Sequence, residues 1–169
     1  MNKGLYEKYG KYFLNKFEKD DKLKFDVVKN NSDGFGVYIY SKSDFSEYFL
    51  RIDRNMIYVD GIVVQDEGLE FQDISAVDSS KIYLYLDTQA EILTNFLKNG
   101  VIMFAYQNAD KVVSMSTNVT DRKKLFENFD VEKFYNEQTT PKEPDFEGLT
   151  KIELLDFYGD VVYEYSQTK

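Results

Sequence analysis

Between Lys24 and Gln65 apolar residues recur at every second position, and clusters of turn-forming residues interrupt them at short intervals. Successive side chains of a strand point to opposite faces, so this pattern requires a sheet buried on one side, which an antiparallel meander supplies. Phe25 and Val27 open it. Asn30-Asn31-Ser32-Asp33-Gly34 turns the chain into Phe35, Val37 and Ile39 on one face, with Tyr38 and Tyr40 on the other. Tyr48, Leu50 and Ile52 continue the sheet, Arg54-Asn55 turns it, and Ile57 to Val59 returns it. Asp60-Gly61, between Val59 and Ile62, has the composition of a two-residue hairpin turn, whose central positions need positive φ.

Before and after the meander the period lengthens. Leu5, Tyr6, Tyr9, Phe13 and Phe17 recur at spacings of three and four, which predicts an amphipathic helix over about 3–19 with Lys8, Lys11, Lys19 and Lys22 on its solvated side. Asp66-Glu67-Gly68 begins a polar connection that includes Glu70 and Asp73. Lys81 to Leu86 alternates Ile82, Leu84 and Leu86 against Tyr83 and Tyr85, as a strand with a tyrosine face would. Thr88 and Glu91 have capping-box spacing, Ile92, Leu93, Phe96 and Leu97 form a stripe, and Gly100 suits a left-handed C-cap, so a helix is expected over 88–99.

Val101 to Tyr106 and Lys111 to Thr117 read as a hairpin. Thr120 is placed to cap a short helix holding Leu125, Phe126 and Phe129, followed by more helix around Val131, Phe134 and Tyr135. Thr139 to Asp145 contains both prolines and no apolar residue, which marks a surface linker near 139–148. Leu149 to Phe157 and Val161 to Tyr165 form a last hairpin about Tyr158-Gly159-Asp160, which must dock on other strands because a lone ribbon is marginal. These elements predict an α+β fold: an antiparallel multi-hairpin sheet covered on one face by about three helices, near 3–19, 88–99 and 120–137. With no internal repeat, residues 1–169 are expected to form a single α+β domain.

The chemistry open to the chain is narrow. It contains no Cys, His or Trp, which removes disulfides, thiolate nucleophiles, imidazole bases and metal sites built from sulfur or nitrogen side chains. The densest carboxylate group is Asp66, Glu67, Glu70 and Asp73, near Asp60, and it matches no calcium loop. Gly34-Phe35-Gly36 lacks the third glycine and following helix of a dinucleotide loop, and no GxxxxGK segment occurs. No catalytic residue, metal ligand or cofactor site is therefore assigned. The apolar runs are strand-length, short of a signal-peptide core or membrane span, so a cytoplasmic protein is expected. Basic residues that are mostly Lys, with abundant Asn, Ile, Tyr and Phe, fit A/T-rich codons and a bacterial or phage source.

Charge and tyrosine give the remaining direction. Thirty acidic residues against 21 basic ones leave a net charge of −9, which opposes direct binding to nucleic acid or an anionic membrane. Residues 1–30 carry eight lysines against five acids, whereas 125–169 carry eleven acids against four lysines. The expectation is an acidic, non-catalytic binding protein that inhibits or neutralises a basic protein partner, toxin-like or nuclease-like, as an immunity protein or phage-encoded inhibitor does. Tyr38, Tyr40, Tyr83 and Tyr85 are its candidate anchors. Glu127, Asp130, Glu132, Glu137, Glu143, Asp145 and Glu147 are its candidate steering surface. The alternatives are a carboxylate-dependent, metal-assisted enzyme and a structural subunit that self-assembles through an exposed sheet edge.

Overall fold

A computed structural model describes residues 4–41, 47–61 and 66–167. The fold is α+β, and its described strands form two antiparallel sheets rather than one, of five and four strands. The chain divides into two compact units, Met1–Asn95 and Phe96–Lys169.

In the first unit a π-helical turn, Tyr6–Gly10, runs into α1, Lys11–Leu14. The meander follows as β1 (Leu23–Asn31), β2 (Gly34–Ser41), β3 (Glu47–Asp53), β4 (Met56–Gly61) and β5 (Asp66–Glu70), each paired antiparallel with the next. The alternation holds: Val27, Val37, Leu50 and Val59 stand in one cross-strand row, and Phe35, Ile52 and Ile57 in another. Phe35, Val37, Ile39, Tyr48, Leu50, Ile52, Ile57 and Val59 are buried. The N-terminal helical segment closes over this face, with Tyr6 edge-on to Phe35 at 5.4 Å and Phe13 stacked on Tyr48 at 6.0 Å.

Asp60 and Gly61 are not a turn. They stay in the ladder of β4, opposite Phe49 and Tyr48 of β3, with Gly61 at φ 149°. The connection to β5 lies beyond them, where 62–65 fall outside the described residues, and Asp66–Glu70, expected as a polar loop, is the edge strand. Pairing with β3 outweighs the local turn preference.

The segment Lys81 to Leu86 is helix, not strand. It belongs to α2, Ser79–Asn99, which begins where Asp78 accepts the Ser80 amide at 3.0 Å. Ile82, Leu86, Ala90, Leu93 and Phe96 are its buried stripe at spacings of three and four. Thr88 and Glu91 consequently lie mid-helix, and the Thr88 hydroxyl donates to the Leu84 carbonyl at 2.9 Å instead of capping. Gly100 follows the helix without a positive φ; there a side chain would strike the Phe96 ring, so space selects glycine.

In the second unit β6 (Val101–Gln107) pairs with β7 (Val112–Val119) and with β8 (Lys151–Leu155), which pairs with β9 (Val161–Ser166). The C-terminal hairpin therefore docks on β6, as a marginal ribbon must. Helix is split into α3 (Arg122–Phe126) and α4 (Val131–Gln138), with Asn128 at φ 54° between them. Asp121 and Asp130, not Thr120, cap them, accepting from the amides of Lys124 and Lys133. Phe104, Tyr106, Phe134, Tyr135, Ile152 and Leu154 form the core. Among the described residues, no helix is long and apolar enough to cross a membrane.

The turn between β8 and β9 is organised by Asp156, a mostly buried carboxylate that accepts the amides of Tyr158 and Asp160, both at 3.0 Å, and faces Arg122 at 3.8 Å. Burial pushes its carboxyl above the usual range. Protonation thus favours the folded chain, and ionisation disfavours it. Asp156→Asn keeps the amide acceptor, so its stability relative to the natural chain should rise between about pH 4 and about pH 7, checked by urea denaturation at both. At Gly68, φ is +78° and a Cβ would run into the Ile57 carbonyl. Gly68→Ala should cost more than about 1 kcal/mol of stability, read as a lower urea midpoint with an unchanged m-value.

Candidate functional site

The face of the first sheet opposite its core carries a continuous row of side chains. Because directly opposed residues of antiparallel strands share a face, register places Asp26, Tyr38, Phe49 and Asp60 side by side across β1 to β4. Tyr38 and Phe49 are half-buried, with ring centres 4.5 Å apart, while Asp26 and Asp60 at the two ends are exposed. At a strand spacing of about 4.8 Å the row spans about 14 Å.

The next row is Val28, Gly36, Arg51 and Tyr58. Gly36 is required here, since a Cβ would come within 2.9 Å of the Phe49 ring, which lies over it. Tyr58 meets Phe49 edge-on at 6.2 Å. On the other side Tyr40 carries the Lys24 ammonium 5.3 Å from its ring centre. The row is thus aromatic at its middle and acidic at its ends, and the rows on either side carry Lys24 and Arg51. Ring faces attract cations through their quadrupoles and carboxylates attract them by charge, so this arrangement suits lysine and arginine side chains of another molecule.

Of the residues expected from sequence, Tyr38 and Tyr40 stand on this face. Tyr83 and Tyr85 do not, because in α2 two residues apart means about 200° of rotation and no common face. The Tyr83 ring packs on Tyr9 and Tyr12 at 5.3 and 4.6 Å, and the Tyr85 hydroxyl is buried. In the second unit Glu127, Asp130, Glu132, Glu137, Asp145 and Glu147 are exposed. Glu143 is half-buried and accepts the Tyr106 hydroxyl, which, together with burial, pushes that phenol well above its ordinary range. Tyr135 donates to the Pro144 carbonyl at 2.6 Å, so this pair of bonds pins the proline segment to the core. The sequence does not single out Phe49 and Asp26, and it groups Asp60 only with the carboxylates near 66–73; the phase of Phe49 against Tyr48 and Leu50 is the available signal.

Among the described side chains, the acidic residues between Asp60 and Asp73 stand apart. Asp60 lies at one end of β4 and Glu70 stands opposite Met56 at the other. Asp73 accepts Arg54 at 2.8 Å and the Ser75 amide and hydroxyl, which hold its carboxyl at about 2. Among the described residues no three acidic side chains are grouped to hold a metal. Two clefts of about 550 and 620 Å³ flank Arg54, Asp33 and Asp73. Their arginines are already matched, Arg54 by Asp73 and by Asp33 at 3.8 Å, and Arg51 by Asp53 at 3.6 Å.

Comparison with known proteins finds no matching family model, no matching curated protein and no matching solved structure. The site is therefore read from its own geometry.

Because Arg54 and Ser75 depress the Asp73 carboxyl, the tie between the β3–β4 turn and residue 73 persists as pH falls, until about pH 2. Arg54→Met should move the Asp73 titration midpoint up toward the ordinary value of about 3.9, as followed by carboxyl NMR shifts. An unmoved midpoint would show that the ion pair does not set it.

Proposed function

We propose that this is an acidic, non-catalytic binding protein that inhibits or neutralises a basic protein partner, toxin-like or nuclease-like, by covering its surface. The observation that carries the reading is the row Asp26, Tyr38, Phe49 and Asp60, two aromatic rings bracketed by two exposed carboxylates. Tyrosine and phenylalanine provide contact area with few rotatable bonds to freeze, and the half-buried rings already hold one another in place. A partner's lysine or arginine stems would pack along the rings with their charged ends at Asp26 and Asp60.

Long-range charge acts before contact. The net −9 and the exposed acids Glu127, Asp130, Glu132, Glu137, Asp145 and Glu147 draw a cationic surface toward the protein and speed encounter, an effect that salt weakens. The mechanism is occlusion, since a basic surface that meets nucleic acid or another acidic target cannot do so while covered. Such a role belongs with immunity proteins and phage-encoded inhibitors, in a bacterial or phage-infected cytoplasm.

The test uses a lysine- and arginine-rich peptide as probe, titrated into labelled protein. Amide shifts should cluster at Asp26, Tyr38, Phe49 and Asp60 and shrink as salt is added. Tyr38→Ala with Phe49→Ala should weaken binding by about 2 kcal/mol, roughly thirtyfold, mainly through dissociation. Asp26→Asn with Asp60→Asn should mainly slow association and flatten the salt dependence. Shifts confined to the second unit, or no binding at low salt, would refute the assignment of this face.

A further inference from the structure

A glycine that follows an aspartate or asparagine leaves the peptide nitrogen between them unshielded, because no Cβ stands beside it. That nitrogen can attack the side-chain carbonyl carbon of the preceding residue and close a cyclic imide. The sequence has three such pairs, Asp33-Gly34, Asp60-Gly61 and Asn99-Gly100. The rate at each depends on where the fold holds the nitrogen.

In two of the pairs the amide is committed elsewhere. The Gly100 amide donates to the Phe96 carbonyl at 2.8 Å, at the end of α2. The Gly34 amide donates to the Asn31 side chain at 3.2 Å, and Gly34 is paired with Asn31 on one side and Asp53 on the other. Both glycines are buried. At Asp60-Gly61 the amide donates instead to Oδ1 of Asp60 itself, at 2.8 Å. Nucleophile and carboxyl are already in contact, with only the carbonyl carbon, Cα and Cβ of Asp60 completing the ring between them. Asp60 is exposed and Gly61, the last residue of β4, is half-buried, so water reaches the pair. Gly61 has φ 149°, a conformation that strains residues with a side chain, so the fold itself demands the unshielded residue here.

We propose that Asp60-Gly61 is a self-modification site at which the chain converts Asp60 to isoaspartate. The Gly61 nitrogen bonds to Asp60 Cγ, while the amide proton and the hydroxyl of the protonated carboxyl leave together as water. A second water then opens the imide. Addition at Cγ restores aspartate, whereas addition at the main-chain carbonyl breaks its bond to the Gly61 nitrogen, which takes up the proton. The chain then runs through Cβ and Cγ, and the former main-chain carbon carries the carboxylate. No oxidant or second protein enters, and the mass is unchanged. Isoaspartate adds one atom to the backbone of β4 opposite Phe49 and displaces the carboxylate at that end of the aromatic row. Weaker binding of a basic partner is the consequence, and it alone rests on reading that row as the contact surface.

The folded full chain is held at physiological temperature for weeks, digested and mapped by mass spectrometry. Isoaspartate is recognised by shifted elution of a peptide and by labelling with an isoaspartate-specific carboxyl methyltransferase. Asp60 should convert about tenfold faster than Asp33 or Asn99. In urea, which removes the placement given by the fold, its lead over Asp33 should vanish. Asp60→Glu, whose cyclisation needs a larger ring, should stay unmodified at residue 60 with an unchanged circular dichroism spectrum. A lysine- and arginine-rich peptide should bind the aged chain more weakly than the fresh one; isoaspartate at 60 with undiminished binding would uphold the modification and count against the aromatic row. Conversion of Asp60 no faster than that of Asp33 or Asn99 in the folded chain, or an equal lead over Asp33 in urea, would overturn the proposal.

Discussion

A pleated strand cannot hide one set of side chains without presenting the next, and the first unit depends on that coupling. Val37, Leu50 and Val59 are buried on the face over which the helical segment at Tyr6–Leu14 closes, with Tyr6 against Phe35 and Phe13 against Tyr48. The same backbone positions fix Tyr38, Phe49 and Asp60 on the reverse face. A slip of one residue in register would exchange the two sets, exposing the core and burying the carboxylates. The hydrophobic face therefore anchors the geometry of the aromatic row as firmly as it anchors the fold.

The period-two stretch was legible because it is long enough to exclude other readings, and the strands from Phe25 to Val59 lie where their alternation places them. Lys81 to Leu86 was not. Ile82 and Leu86 stand four apart, a spacing that satisfies a strand face and a helical stripe alike; only the continuation through Leu93 and Phe96 shows that the longer period governs. Asp60-Gly61 misled for a different reason, since turn propensity is local and ladder pairing with β3 is not. The division into two sheets rests on β6 pairing with β8 across the proline segment, a long-range contact that no neighbouring residues announce. The site follows the same rule. Tyr38 could be placed on an outer face by phase, but its neighbours Asp26 and Asp60 depend on register with β1 and on the chain staying extended through Asp60.

Acidic residues in this protein divide into two groups by what surrounds them. Asp73, Asp78, Asp121, Asp130 and Asp156 accept backbone amides at turns and helix starts, and so fasten the chain as well as charge it. Glu143 ties the proline segment to Tyr106. Glu127, Glu132, Glu137, Asp145 and Glu147 point to solvent. Net charge is thus the sum of fastening and display, and only structure separates them.

Gly36 sits beneath the Phe49 ring in the only kind of space that a residue without a side chain leaves. The relief of the aromatic face is accordingly set by an atom that is missing, at a position bearing no group able to contact another molecule. A single methyl there would tilt the ring and reshape the surface while leaving its inventory of charges and rings untouched. The shape of that face can then change through a residue that any map of contacts would overlook.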